Sequence, residues 1–225
     1  MIVVTGASKG LGRAICERLL TRNIEVLGLA RNTEGMEFAS MPCDVSLPDD
    51  VKAVARKLKA DGVIVKGLIN AAGIASMNLA VTTPASAAYR IIHTNLLGTI
   101  FCCQQFAPLM MRNKAGSIIN FSTIAVALGL KGESIYAASK AGVEGFTRAF
   151  AREMSDFNIN VNCIAPGPIN TSLLKGITAN QIERIVSQQI IPRQFTPDAV
   201  SDLVEVLLDT RSNSLSGQVL HVGGA

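Results

Sequence analysis

Three features common in binding proteins are missing from these 225 residues: a CxxC pair, a ligand-like spacing of cysteine with histidine, and a long apolar run. Without the first two there is no zinc site of the familiar kinds, and Cys16, Cys43, Cys102, Cys103 and Cys163 read as buried free thiols. The longest apolar stretches fall well short of the roughly 18 residues that a membrane span requires. An odd cysteine count, with no charged leader before the strand-like MIVV, implies a reducing compartment, so a cytoplasmic location is expected. Charge of one sign is scarce too. Lysine and arginine number 21 against 17 aspartates and glutamates, and the net +4 is scattered without runs. That is too little for a nucleic-acid or membrane-surface partner. No internal repeat, low-complexity tract or interdomain linker is visible.

What is present is apolar and regularly spaced. Hydrophobic residues make up 48% of the chain. The runs IVV at 2–4, EVLGLA at 25–30, GLIN at 67–70, SIINF at 117–121, NVNCIA at 160–165 and QVLHV at 218–222 read as strands. Their apolarity is continuous rather than alternating, as in strands covered on both faces. The longer helical patterns between them then predict a parallel, doubly wound α/β sheet with helices on both sides. Helices are expected over about 11–22, 48–60, 84–111, 135–156, 178–189 and 197–208, with Pro48, Asp49 and Pro197 at their starts. One unbroken pattern implies a single domain over 1–225. One crossover is irregular: a third strand near Glu37–Pro42 follows Arg31 too closely for an intervening helix, so that flank is expected to be thin or the strand short.

TGASKGLG at 5–12 sets three glycines directly after the first strand. Glycine is costly in a helix, so something must need the backbone close there. A strand, a glycine turn and a helix from about Leu11 bring free N–H groups to a helix's positive end, an arrangement that holds a pyrophosphate. The TGxxxGxG spacing resembles the loop of the short-chain dehydrogenase/reductase family, whose members bind NAD or NADP on a Rossmann-like fold. The resemblance runs from Ile2 to about Gly224. It assigns Gly6, Ser8, Lys9, Gly10, Leu11 and Gly12 to the cofactor loop, and Asp44 and Val45 to the adenine. It also assigns Asn70, Ala71, Ala72 and Gly73, after the fourth strand, to the cofactor. Pro166, Gly167, Ile169 and Thr171 are assigned to the nicotinamide side.

The choice of dinucleotide is argued from charge. An NAD enzyme ends its second strand with a carboxylate for the ribose 2′-hydroxyl, whereas a 2′-phosphate needs a cation. The chain reads Leu29-Ala30-Arg31-Asn32 at that point, with no acid, and Lys9 lies in the glycine loop. Arg31, Asn32 and Lys9 therefore point to NADP(H).

Tyr136 and Lys140 stand four apart at the start of a helical stretch, so they project from one face. A phenol with a pKa near 10 is a poor acid or base at neutral pH unless cations stabilise its phenolate. Lys140 and an oxidised nicotinamide would supply that stabilisation. The resemblance makes Tyr136 the proton donor to a carbonyl and Lys140 also a ligand of the nicotinamide ribose. The family's catalytic serine falls on Thr123, with Ser122 beside it, and either hydroxyl is a candidate. Asn95, in HTNLLGT, resembles the family's helix-kinking asparagine that holds a relay water.

The implied activity is reversible hydride transfer between NADP(H) and a carbonyl or secondary alcohol, favouring reduction. Specificity is expected from about Ser172–Arg193, where Leu173, Leu174, Ile177, Ile190 and Ile191 are apolar, and from the stretch around Ile74–Pro84. The pattern is most similar to 3-oxoacyl-carrier-protein reductases of fatty acid biosynthesis. Arg112 and Lys114 suit an acidic carrier protein, and Asp156-Phe157 does not. A free ketone or quinone is the alternative substrate, and a catalytically silent dinucleotide-binding subunit is the alternative function. Phe146, Phe150, Met154 and Phe157 form a core or subunit-packing stripe, and the resemblance implies a homodimer or homotetramer.

Overall fold

The computed structural model describes residues 1–171 and 178–225. Among these residues seven strands, β1 (Ile2–Thr5), β2 (Val26–Ala30), β3 (Ser40–Pro42), β4 (Gly67–Asn70), β5 (Gly116–Phe121), β6 (Ile159–Pro166) and β7 (Val219–Val222), form one sheet in the order β3-β2-β1-β4-β5-β6-β7. Every pairing is parallel. This is the Rossmann-like, doubly wound arrangement expected from the sequence.

Continuous apolarity in the strands reflects two separate cores. Val3 pairs with Leu27 and Leu68, Leu68 with Ile118, and Ile118 with Val161, so these side chains share one face. They pack against α2 (Pro48–Ala60), α4 (Gly98–Met111) and α6 (Ser134–Met154) through Val54, Leu58, Phe106, Met110 and Phe150. Val4, Ile69 and Ile119 line up on the other face. They meet α1 (Gly10–Thr21) and α8 (Pro197–Leu208) through Ile15, Leu19, Val200 and Val204. All five cysteines are buried and free, as expected. Phe150 and Met154 belong to the core, while Phe146, which stacks on Phe150 with ring centroids 5.0 Å apart, is half-buried.

The irregular crossover is explained by packing. No helix joins β2 to β3, and β3 is only three residues long. Met36 and Phe38 of the connection fold back over Gly28, where a methyl group would lie 2.7 Å from the Phe38 ring and 2.8 Å from the Met36 methyl carbon. These two side chains cover a face that a crossover helix would otherwise cover.

The helix expected over 84–111 is divided. α3 (Ala85–Ile92) passes through a π-helical turn at His93–Leu97 into α4, and Asn95 lies in that turn. A short α5 (Ala125–Leu128) precedes α6, and α7 (Ala179–Val186) precedes α8. Among the described residues no helix is long and apolar enough to cross a membrane.

Because the chain runs from β1 outward to β3 and then returns to β4, the sheet has a switch point between β1 and β4. Their carboxyl ends diverge there, leaving a crevice.

Candidate active site

The glycine loop forms one wall of this crevice. Gly6 and Gly10 have φ of +68° and +60°, a left-handed backbone that disfavours any side chain. Gly12 is fixed by proximity, since a methyl group there would fall 2.4 Å from the Gly6 carbonyl oxygen. Gly10 is different: the nearest atom to a methyl group would be the Thr171 Cβ at 3.6 Å, so protein packing leaves space beside it. Across the crevice the Ala72 N–H donates to Thr5 Oγ1 at 3.0 Å, joining the ends of β1 and β4.

The cleft is lined by Gly6 and Ser8 to Gly12, by Ala30 and Arg31, by Cys43, Asp44 and Val45, by Ala71 to Ile74, and by Tyr136, Lys140, Pro166 and Thr171. Arg31 and Lys9 are exposed at its edge. Asp44 is held by the Ser46 N–H and hydroxyl, which donate to Oδ1 at 2.9 and 2.7 Å. An uncrowded left-handed backbone at Gly10 and the start of a helix fit the pyrophosphate of a dinucleotide. Four residues assigned to the cofactor do not line this cleft: Gly167 and Ile169 line a second cavity beside it, and the side chains of Asn32 and Asn70 are engaged by other protein groups. Asn32 is exposed and accepts from the Glu34 N–H at 2.8 Å. Asn70 is buried beneath the cleft, and its Nδ2 donates to Asn120 Oδ1 at 2.9 Å.

Tyr136 and Lys140 project from the first turns of α6 at the inner end of the cleft, 8% and 5% exposed. Lys140 Nζ donates to the Phe121 carbonyl at the end of β5, at 2.8 Å. Burial lowers its ammonium to about 8, with the Cys163 thiol acting in the opposite direction. Burial also pushes the Tyr136 phenol above its ordinary value; the Glu133 carboxylate adds to this and a hydrogen bond with Thr123 opposes it. The phenol is therefore not acidified in the protein alone. The lowering expected from Lys140 and an oxidised nicotinamide together requires the cofactor; in the protein alone Lys140 is bonded to a backbone carbonyl and desolvation dominates.

The two neighbouring hydroxyls face different ways. Thr123 lines the same cavity as the phenol, and its Oγ1 accepts from the Ala125 N–H at 3.2 Å. Ser122 is turned inward and donates to Glu144 Oε1 at 2.6 Å. Asn95 is wholly buried: its Oδ1 accepts from the Ile74 N–H at 2.9 Å, and its Nδ2 donates to the Ile74 carbonyl at 2.9 Å and to Ser139 Oγ at 3.0 Å. Ser139 in turn donates to the Tyr136 carbonyl at 2.6 Å. This chain of bonds clamps α6 to the loop after β4. Gly73 sits between the two partners, with a methyl group there placed 3.4 Å from Asn95 Oδ1 and 3.5 Å from Lys140 Nζ.

A second cavity opens beside the phenol and shares Leu11, Ser122, Tyr136, Pro166 and Thr171 with the cleft. Its other walls come from Ala75, Thr123, Ile124, Leu130, Glu133, Gly167, Pro168, Ile169 and Ile185. Ile190 and Ile191, expected here, are instead 77% and 47% exposed. Leu173, Leu174 and Ile177 lie outside the described residues. Sequence reasoning missed Glu133, although it precedes Tyr136 by three positions and so shares its side of the chain. Glu144 and Ser139 were missed as supports, since only tertiary placement brings them under the site.

The short chain dehydrogenase family profile matches residues 1–182. The chain belongs to that family. As a short chain dehydrogenase it is an oxidoreductase, and its relatives match over nearly their whole length. It is 33% identical to the 3-oxoacyl-[acyl-carrier-protein] reductase of Bos taurus, covering 98% of this chain and 95% of the relative. It is also 33% identical to carbonyl reductase family member 4 of Danio rerio, covering 100% and 96%. Among solved structures, the ligand-free aldohexose dehydrogenase of Thermoplasma acidophilum superposes with a TM-score of 0.90 at 29% identity, covering 99% of this chain and 92% of that one. NADP-bound ElxO gives 0.89 at 27%, covering 98% and 96%. This short chain dehydrogenase thus shares its sheet order and helical layers with proteins of varied substrates, so its own chemistry must be argued from its site.

Proposed function

We propose that this protein is an NADPH-dependent carbonyl reductase acting on a 3-oxoacyl thioester. The observation that carries the reading is the position of Tyr136, buried where the dinucleotide cleft meets an apolar cavity that Thr123 also lines. The phenol is protonated at neutral pH and so can donate to a carbonyl oxygen, and Lys140 with the nicotinamide would supply the phenolate stabilisation that efficient transfer needs. Thr123 orients that oxygen with its hydroxyl. Lys140 and Tyr136 bind the nicotinamide ribose, and the Asn95–Ser139 brace fixes the helix that carries them. Gly6, Ser8, Lys9, Gly10, Leu11 and Gly12 hold the pyrophosphate side; Arg31, aided by Lys9, faces the 2′-phosphate. Asp44 and Val45 meet the adenine, and Ala71 to Gly73, Pro166, Gly167, Ile169 and Thr171 complete the nicotinamide end. When bound, NADPH supplies the hydride.

The thioester reading draws on the apolar cavity and on relatives named as 3-oxoacyl-carrier-protein reductases. Arg112 and Lys114, exposed after α4, provide cations for a carrier protein. Exposed Asp156 opposes such docking and favours a second reading, reduction of free ketones or quinones. A single domain over 1–225, assembled as a homodimer or homotetramer in the cytoplasm, completes the proposal. A steady-state assay with NADPH against acetoacetyl thioesters, with and without carrier protein, and against diketones and quinones tests it. Turnover of thioesters supports the first reading, and turnover restricted to free ketones or quinones supports the second. Dinucleotide binding without turnover on any compound would mark a catalytically silent subunit.

A further inference from the structure

The cavity beside the phenol is apolar on most sides, with Leu11, Ile124, Leu130, Ile169 and Ile185 among its walls. Glu133 is the one carboxyl among the described residues that line it. Local structure does not account for it. Glu133 precedes the first turn of α6, yet its side chain makes no capping hydrogen bond to that helix. Arginine and lysine pair with nine-tenths-buried Glu144 and with several surface acids, but among the described residues no ion pair reaches Glu133. It is half-buried, and burial pushes its carboxyl up while its charge raises the phenol of Tyr136. A carboxylate kept in an apolar cavity without a partner carries a desolvation cost that a ligand's donor would offset.

We propose that Glu133 is a specificity-determining residue: it accepts a hydrogen bond from an N–H or O–H group of a neutral substrate and rejects carbonyl compounds that carry a carboxylate. The inference rests on the carbonyl-reductase reading. A 3-oxo acid holds its carboxylate only two bonds from the ketone, so a ketone placed at Tyr136 brings two like charges together in a poorly screened cavity. A thioester of the same acid has no such charge, and an amide N–H along its thiol arm supplies the donor.

The test compares acetoacetate with its N-acetylcysteamine thioester, which carries that amide, in the wild type and in Glu133→Gln. Two quantities are read for each: kcat/KM, and affinity for the NADPH-bound protein from reduced-nicotinamide fluorescence. The wild type should prefer the thioester, and Glu133→Gln should shrink the preference by roughly tenfold or more in both quantities, as expected for loss of a nearby like charge. Glu133→Asp should retain the wild-type preference. Unchanged NADPH affinity in the variants establishes that they are folded. A preference that is the same in wild type and Glu133→Gln overturns the role of Glu133 even if both compounds turn over. Binding without turnover would instead refute the carbonyl-reductase reading while the affinity ratio still decides on Glu133, and absence of binding by either compound would refute both.

Discussion

Replacing Ser122 and Thr123 one at a time separates two hydroxyls that are adjacent in the chain but differ in function. Ser122 donates to Glu144 at 2.6 Å in a setting where Glu144 is only 9% exposed, and the next charged partner, Arg148, is 3.9 Å away. Ser122→Ala leaves a buried carboxyl without its donor and should cost about 2 kcal/mol. For a domain of this size that lowers Tm by roughly 4–8 °C. Activity per folded molecule should change little, because the hydroxyl is committed to Glu144. Thr123→Ala should do the reverse. It lines the cavity beside Tyr136, so kcat/KM should fall by about 10²–10³-fold with a small change in Tm, the scale seen when one preorganised donor at a reacting oxygen is lost. Thr123→Ser should restore most of the activity. The measurements are thermal melts and NADPH-coupled steady-state kinetics on the same preparations. If Ser122→Ala abolishes activity while its melting is unchanged, the assignment of the two hydroxyls is wrong.

Arg31→Ala should weaken NADPH binding by about 10–100-fold, the worth of a charge-assisted phosphate contact, and leave NADH affinity nearly unchanged by fluorescence titration. Gly10→Ala should cost only about 1 kcal/mol of stability, because strain at φ +60° is not joined by a clash, yet it should reduce NADPH affinity by more than tenfold. Lys140 gives a pH prediction with a definite sign. Its folded value, about 8, lies below the ordinary 10.5, so the unfolded chain binds more protons between those limits and this residue's contribution to stability rises with pH across that window. Against Lys140→Met, the wild type should therefore gain relative stability in melts from pH 8 to 10.5; a relative loss would contradict the burial.

The sheet was readable because β1, β2 and β4 are buried along their whole length and so appear as unbroken apolar runs. The TGASKGLG loop was readable because strained and crowded backbone leaves a glycine signature. Other features depend on partners distant in sequence. Nothing around Arg31 announces that Met36 and Phe38 will pack over Gly28 in place of a helix. The π-helical turn at Asn95 and the inward rotation of Ser122 depend on Ile74, Ser139 and Glu144, which reach the site from other elements. Motif resemblance placed Asn70 at the cofactor, but its buried side chain bonds Asn120, whose Nδ2 donates to Thr147 at 2.9 Å. A motif identifies the position and does not reveal where the side chain points. The raised phenol is of the same kind, since four-residue spacing puts Lys140 on the correct face without showing that its ammonium binds the Phe121 carbonyl.

The most direct measurement is single-turnover oxidation of NADPH by Tyr136→Phe in the presence of an acetoacetyl thioester, with NADPH affinity measured in parallel. Removal of only the hydroxyl should weaken cofactor binding by no more than about tenfold, the worth of one hydrogen bond to the ribose, and slow hydride transfer by about 10³-fold or more. Hydride transfer at the wild-type rate would contradict proton donation by this phenol.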